Sequence, residues 1–272
     1  MLNKQTETLL LIFLGVLVIF AAFSFNPDDI SGRQNLITPK LGAVDSYIEV
    51  CTPKDLDSIR YNPGAKYKQI CDIDLAGYNL RPIGNNLKPF RGTYNGNTSR
   101  IFNFTYTDPS LISYVGLFGV ISSNALLQRI QLINYNLTVN GTISNVGGLV
   151  GEMRGKSSIV NSSVQGSIQL QRNDSESRFG GIVGRMLNNS LITNSMALAN
   201  VSGDWDVGGF VGRMEDNSTI KNSTVNGWGV IGNQFVGGFV GRMAGNSSIT
   251  DSVTLANVKV NPGGEGSVGG FA

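Results

Sequence analysis

Short apolar runs separated by turn-forming residues make up most of the chain after residue 46. In the second half these runs are four to six residues long, contain mostly Val, Ile, Phe and Thr, and end at Gly, Asn or Ser. Runs of this length are too short to form stable helices, and β-branched and aromatic residues favour strands. The pattern therefore predicts many short strands joined by tight turns.

A Gly-rich block recurs along this pattern. Its copies are VGLFG at residues 115–119, VGGLVG at 146–151, FGGIVG at 179–184, VGGFVG at 207–212 and 236–241, and VGGFA at 268–272. A second signature, such as SLITNS at residues 190–195, follows four of the blocks. Its Asn or Asp lies 13 residues after the second glycine of the pair, whereas 15 to 20 residues then lead to the next pair. A constant part beside a variable part predicts a stacked solenoid whose length changes are confined to one side.

Stacking of the copies at about 4.8 Å predicts parallel sheets in which equivalent side chains form columns. The expected internal columns are Phe210, Phe239 and Phe271, and Ile159, Ile192, Ile220 and Ile249. A turn is expected to carry an internal ladder of amide and carboxylate side chains from Asn161, Asn194, Asn222 and Asp251. The glycine pairs are expected at a corner that a Cβ atom would obstruct.

The N-terminus carries an uncharged apolar run at residues 9–25 (LLLIFLGVLVIFAAFSF). Its length is close to the minimum of about 17 residues for a membrane-spanning helix. Lys4 before the run, with Asp28 and Asp29 after it, predicts that the body of the chain is exported.

This segment has three interpretations. Residues 1–26 are interpreted first as a signal anchor, a hydrophobic helix that attaches the chain to a membrane. The alternatives are a signal peptide cleaved near residues 22–24 and a pilin-like leader cleaved near Lys4 and Glu7. Residues 27–45 lack periodicity and contain Pro27 and Pro39, so they are predicted to be a linker.

Charge and composition restrict the chemistry that is available. The 21 basic and 19 acidic residues are scattered, which argues against a nucleic-acid partner. Histidine is absent, so Ser-His and Cys-His nucleophile pairs and the usual metalloprotease zinc ligands cannot form. We therefore predict no metal site, no cofactor and no complete catalytic site.

Cys51 and Cys71 are the two cysteines of the chain. An even pair in an exported protein predicts a disulfide. Two reduced, buried thiols are the alternative interpretation, because a metal site with two soft ligands and no histidine is disfavoured.

Two groups of acidic residues are candidates for a catalytic or metal-binding role. Asp72 and Asp74 alternate along a predicted strand, as paired acids do in β-helix polysaccharide hydrolases. A structural role is favoured, because neither a third acid nor a basic partner is evident beside them. Other acids appear loop-like and lack the DxDxDG spacing of a calcium loop; they are Asp204, Asp206, Glu215 and Asp216.

Two sets of repeated polar residues are candidate surface features. Arg185, Arg213 and Arg242 occupy the same place in three GRM segments, and stacking predicts an outer row that faces either an anionic ligand or solvent. Asn-x-Ser/Thr sequons give candidate glycosylation sites at Asn97, Asn103, Asn136, Asn140, Asn173, Asn188, Asn200, Asn217 and Asn246. The sequons at Asn161 and Asn222 are excluded because they are assigned to the internal ladder.

The Gly-rich blocks resemble the GLUG motif, a Gly-Leu-any-Gly repeat of large bacterial and archaeal cell-surface proteins. The segment from Asp72 to Tyr106 is similar to the lead-in that precedes such repeats, with DIDL, the turn Pro82-Ile83-Gly84, a PFxG element at Pro89-Phe90, and TYNGN. The resemblance covers residues 46–272. It implies a right-handed, single-stranded parallel β-helix with an adhesive or structural setting at the cell surface, and it implies no reaction.

The sequence thus predicts four segments: the anchor or signal peptide at 1–26, the linker at 27–45, a β-helix lead-in at 46–114 and the repeats at 115–272. We expect a non-catalytic, extracellular surface protein, with surface glycans or proteins as partners. A carbohydrate-active β-helix enzyme and a subunit of a pilus-like filament are the alternatives. The sequence stops inside a sixth block, so either it is a fragment of a longer protein or the edge of the C-terminal coil meets a partner, and head-to-tail docking of that coil is the hypothesis.

Overall fold

A computed structural model describes residues 46–108, 113–139, 145–171, 176–227, 229–264 and 266–272. The apolar run at 9–25 and the predicted linker at 27–45 lie outside these residues. Within the described ranges, no helix combines the length and apolar character needed to cross a membrane.

The described chain is an all-β parallel solenoid of about six turns. Its strands form four sheets, and every strand pairing among the described residues is parallel. The eight-stranded sheet consists, in pairing order, of Ile48–Val50, Lys66–Gln69, Thr93–Asn95, Leu126–Gln128, Ser158–Val160, Leu191–Thr193, Thr219–Lys221 and Ser248–Thr250. The ten-stranded sheet consists of Ile73–Asp74, Arg100–Phe102, Thr105–Asp108, Gln131–Val139, Ser163–Leu170, Met196–Ser202, Thr224–Val225, Val230–Gly232, Val253–Thr254 and Val258–Val260.

The Gly-rich blocks supply the other two sheets. The six-stranded sheet consists, in pairing order, of Tyr114–Val115, Asn145–Gly147, Arg178–Gly180, Asp206–Gly208, Phe235–Gly237 and Val268–Gly269. The five-stranded sheet consists of Phe118–Ile121, Val150–Met153, Val183–Met186, Val211–Met214 and Val240–Met243. Each of the first five blocks therefore contributes one strand to each of the two sheets, as expected for a repeat that forms one rung, and the block at residues 268–272 contributes a strand to the six-stranded sheet.

Among the described residues, one short α-helix follows the first strand, Ile48–Val50. It spans Pro53–Ser58 and continues into a 3-10 turn at Ile59–Tyr61. Thr52 and Asp55 form a capping box, and Pro53 occupies the first turn, where a missing N–H costs nothing. The buried residues Leu56 and Ile59 attach this helix to the core. The predicted disulfide joins Cys51, just before the helix, to Cys71, and the two Cα atoms lie 4.8 Å apart.

The predicted apolar columns are present. Ile159, Ile192, Ile220 and Ile249 pair in direct register along the eight-stranded sheet. Phe210 stacks on Phe239 with ring centroids 4.7 Å apart, and Phe239 stacks on Phe271 at 5.0 Å. The first two rings are fully buried, whereas Phe271 is 38% exposed and is not internal, in contrast to the prediction.

The polar ladder at the turn differs from the prediction. Asn161, Asn194, Asn222 and Asp251 stack as expected and have φ angles of 44 to 52°. The Asn222 amide donates to Asn194 Oδ1 at 2.7 Å, but all four side chains are exposed, so the prediction of an internal ladder is wrong.

The inward position belongs to the serine that follows each of these residues. In the first three copies the buried serines are Ser162, Ser195 and Ser223. The backbone N–H of Ser162 donates to Ser195 Oγ at 3.3 Å, and that of Ser195 donates to Ser223 Oγ at 3.3 Å. Because the residue with a left-handed φ angle points its side chain outward at this bend, the next residue points inward, and its small hydroxyl pairs there with the backbone of the neighbouring rung.

Candidate functional site

Each Gly-rich block folds back on itself, and its two strands pack together through glycine. A Cβ atom on Gly208 would lie 2.0 Å from the carbonyl oxygen of Val211, and one on Gly212 would lie 2.6 Å from the amide nitrogen of Phe179. Equivalent contacts recur at Gly184 and Gly241. No side chain fits at these positions, which explains the glycines of the motif. We call the paired strands of the six-stranded and five-stranded sheets the glycine arch.

Polar and charged side chains from the two sheets of the glycine arch face each other beyond the glycines. One column, on the six-stranded sheet, contains Asn145, Arg178, Asp206 and Phe235 in register. The other, on the five-stranded sheet, contains Glu152, Arg185, Arg213 and Arg242. The predicted row of three arginines is therefore aligned, and Glu152 occupies the same column one rung earlier.

We call these two columns, together with Arg154 and Glu215, the arch cluster. Ion pairs connect its successive rungs. Glu152 pairs with Arg154 at 2.8 Å and with Arg185 at 3.6 Å. Glu215 lies between Arg185, at 2.9 Å, and Arg213, at 2.7 Å. The arginine row thus does not form an unopposed basic stripe, because carboxylates from the same stack neutralise much of its charge.

Arg242, the third member of the row, has a different neighbour. Its guanidinium carbon lies 4.9 Å from the ring centroid of Phe235, which is a cation–π geometry. Trp205 packs edge-on against the same ring at 6.1 Å. At the rung of Phe235 and Arg242, the arch cluster therefore contains an aromatic group.

Asp206 is the most constrained group of the arch cluster. Its side chain is fully buried between Arg178 and Arg213, whose nearest nitrogen atoms are 3.9 and 3.7 Å from Oδ2. Neither carboxylate oxygen accepts a hydrogen bond. Burial raises the pKa of Asp206 to about 6, although the arginines act in the opposite direction. The prediction that Asp206 is a loop-like acid is wrong, because it begins a strand.

Glu215 behaves differently from Asp206. Burial raises its pKa, but hydrogen bonds and the positive charges of Arg185 and Arg213 outweigh burial, so the net shift of the Glu215 pKa is downward. The two carboxyl groups therefore have opposite pKa shifts within one cluster. Sequence reasoning missed Glu152, although its alignment with the GRM arginines was a usable signal.

Asp72 and Asp74 both accept hydrogen bonds from residues of the next rung. The side chain of Asp72 accepts hydrogen bonds from the backbone N–H of Arg100 at 2.7 Å and from Arg100 Nε at 2.8 Å. Asp74 accepts from the amide of Asn103 at 2.8 Å. The prediction that no basic partner lies beside these acids is therefore wrong, since Arg100 comes from the next rung. No group of three or more metal-ligating His, Cys, Asp or Glu side chains occurs in the part of the chain that the structure describes.

The sequons differ in accessibility. Five of the predicted sites are exposed, and they are Asn136, Asn188, Asn200, Asn217 and Asn246. Asn97 and Asn103 are half-buried, and Asn140 and Asn173 lie outside the described residues. Asn161 and Asn222 are exposed too, so the reason for excluding them does not hold.

Comparison with known proteins supports the assignment of the Gly-rich blocks to the GLUG motif. The model of the GLUG motif matches residues 203–231, which include one complete Gly-rich block. A protein of Evansella cellulosilytica, provisionally named a Gly-rich membrane protein, is 36% identical over 112 residues, covering 38% of this chain and 13% of the relative. Halomucin of Haloquadratum walsbyi is 30% identical over 158 residues, covering 53% of this chain and 2% of the relative. The chain thus spans a small part of the length of these relatives.

A solved structure shares the fold. It is a Bacteroides ovatus protein provisionally described as an immunoglobulin A1 protease, with a TM-score of 0.65 and 20% sequence identity. The match covers 85% of this chain and 76% of that chain. At this identity the likeness shows the architecture alone. The chain is therefore a parallel β-solenoid that carries the GLUG motif, as its Gly-rich blocks predicted.

Proposed function

We propose that this chain belongs to an exported surface protein and that its solenoid is a non-catalytic scaffold for adhesion or structural assembly. The observation that carries the proposal is the set of ion pairs that connects successive rungs of the arch cluster. Glu215 bridges the arginines of two successive rungs at 2.9 and 2.7 Å. Its pairing supports cohesion of the stack, which is what an extended scaffold requires.

Three further observations support an extracellular setting. The Cys51–Cys71 disulfide is typical of oxidising compartments. The apolar run at residues 9–25 is suited to membrane attachment or export. One relative is named a membrane protein and another is named halomucin. The proposal includes right-handed winding, the usual sense of parallel crossovers, and the four segments predicted from the sequence.

The interactions of the proposed scaffold remain predictions. The arginine row could contact an anionic ligand through its solvent-facing edges, since Arg185 and Arg213 keep side-chain exposures of 31 and 21%. Head-to-tail association and attachment to a membrane are proposals of the same kind. Absence of catalysis is also a prediction, which the polysaccharide assay described next tests.

The proposal is tested on cells that produce the full chain. We expect an impermeant biotin reagent to label the chain on intact cells, and cells lacking it to show weaker attachment or altered surface layers by electron microscopy. Labelling only after lysis would contradict the surface setting. Release of reducing ends from a polysaccharide by the pure chain, lost in Asp72→Asn and Asp74→Asn, would contradict the non-catalytic role.

A further inference from the structure

The outer face of the ten-stranded sheet contains a step. Strand Gln131–Val139 has one more residue than the next rung, because Ile133 pairs with Gln165 and Tyr135 pairs with Gly166. The additional residue, Asn134, has a φ angle of 55° and bulges outward.

The bulge continues a ladder of polar side chains from the preceding rungs. Asn134 donates to Asn103 Oδ1 at 2.6 Å, and Asn103 donates to Asp74 Oδ1 at 2.8 Å. The ladder stops at Gly166, where a Cβ atom would lie 2.2 Å from the carbonyl oxygen of Tyr135. The side chains of the following rungs therefore project less far from the sheet than the ladder does, and the outer face is concave there.

Two adjoining cavities occupy this concave face. One of about 320 Å³ lies against the step and is lined by Asn134, Gln165, Gly166, Leu198 and Asn200. The other, of about 520 Å³, continues from Asn200 to Ser202 and Ile231. Asn200 lines both, so the two depressions adjoin at this residue. We call them together the amide groove and define it by Asn134, Gln165, Gln169, Leu198, Asn200 and Ile231.

The amide groove is uncharged, in contrast to the arch cluster. No Asp, Glu, Lys or Arg side chain is among the described residues that line either cavity. Gln165, Gln169 and Asn200 are exposed, and their side chains make no hydrogen bond to any residue that the structure describes. Each amide offers donors and an acceptor to a ligand. Leu198 and Ile231 are half-buried and add apolar surface.

These features select the class of ligand. An extended peptide normally binds by adding a strand at a free sheet edge, whereas the strands Ser163–Leu170 and Met196–Ser202 beneath the amide groove lie inside the sheet and pair with a neighbouring rung on each side. A charged polymer would find no counter-charge there. A neutral sugar chain presents hydroxyl groups that both donate and accept, together with apolar C–H surface, and matches amides beside aliphatic side chains.

We propose that the amide groove binds an uncharged polysaccharide across the rungs from Asn134 to Ile231. At about 4.8 Å per rung, the three intervals between these four strands span about 14 Å. This inference rests on the proposed surface role and assigns it a ligand class. It also requires Asn200 to be unmodified, since a glycan at this sequon would fill the groove.

Affinity electrophoresis of the full chain tests the inference. The probes are dextran, mannan, galactomannan and laminarin, with alginate and hyaluronan as charged polymers. We expect at least one uncharged polymer to retard the chain, and the variant Gln165→Ala/Asn200→Ala to weaken that binding at least tenfold. Gln128→Ala, a glutamine on the eight-stranded sheet, is the matched control and should bind normally. Thermal unfolding of each variant verifies that it is folded.

Several outcomes would overturn the inference. They are no retardation by any uncharged polymer, retardation that the double variant leaves intact, or a glycan on Asn200 in the mass spectrum of the native chain. Groove-dependent binding to an arrayed peptide instead of a polysaccharide would also contradict it. The surface-labelling experiment is independent: a labelled chain that binds no polysaccharide refutes the groove assignment and leaves the proposed surface role in place.

Discussion

Arg213 extends its Nη1 atom to 3.7 Å from Oδ2 of Asp206, across the glycine arch, yet no hydrogen bond reaches either oxygen of that carboxylate. Arg178, from the preceding rung, lies 3.9 Å from the same oxygen. The carboxylate is therefore compensated by charge without directional hydrogen bonds. An arrangement of this kind only partly offsets the cost of burying the ion.

The stability of the chain should depend on pH through Asp206. Its pKa is raised from 3.8 to about 6. At a pH between these two values, the carboxyl group of Asp206 is therefore protonated in the folded chain and ionised in the unfolded chain. The contribution of Asp206 to the free energy of unfolding is present below the unfolded pKa and is lost as pH rises through the folded pKa. A shift of this size corresponds to at most about 3 kcal/mol.

We expect the free energy of unfolding to decrease from about pH 4 to about pH 6, the interval between the two pKa values of Asp206, and Asp206→Asn to flatten this decrease. Urea denaturation across this range measures both. The Asp72 carboxyl has a lowered pKa and titrates below the window. Asp216→Asn, which changes an exposed acid nearby, should preserve the slope. An unchanged slope in Asp206→Asn would show that another group is responsible.

The arch glycines should be intolerant of any side chain. In Gly208→Ala the new Cβ would lie 2.0 Å from a backbone oxygen, so strands must separate, and we expect a loss of at least about 2 kcal/mol in the free energy of unfolding. Gly64 has open space around its Cβ position and no positive φ. Gly64→Ala is thus the matched control and should unfold like the native chain in chemical denaturation.

The stacked phenylalanines should make a large contribution to cohesion between rungs. Phe239→Ala removes a fully buried ring that contacts both Phe210 and Phe271. We expect a loss of about 3 to 5 kcal/mol, as for other large-to-small core substitutions. Guanidinium denaturation monitored by circular dichroism measures it. Leu87→Ala, at a residue that is 92% exposed, should change stability by less than about 0.5 kcal/mol.

The disulfide should stabilise the lead-in segment. Its cysteines are 20 residues apart, and closure of such a loop is worth about 3 kcal/mol in the chain-entropy model. We expect the Cys51→Ser/Cys71→Ser variant to unfold at lower denaturant concentration, and reductant to shift the native chain in the same direction while leaving the variant unaffected. Equal midpoints for the two proteins without reductant would contradict this expectation.

The sequence alone determined the rungs and their register. A constant distance of 13 residues between the second glycine and the turn residue forces equivalent side chains into columns once the copies stack. The in-register isoleucines and the stack of Phe210 on Phe239 follow from this regularity. The disulfide was predictable too, because the chain offers one pairing of its two cysteines.

Tertiary structure decided where the columns point and what lies opposite them. Asn161 faces solvent while Ser162 faces the core, because side-chain direction depends on φ at the bend and not on the period of the repeat. The partners of Arg185 and Arg213 come from neighbouring rungs and from the facing sheet of the arch. The amide groove exists because one rung carries an additional residue beside a rung that does not. Spacing along the chain specifies which residues stack, whereas these features depend on the path of the backbone between the sheets.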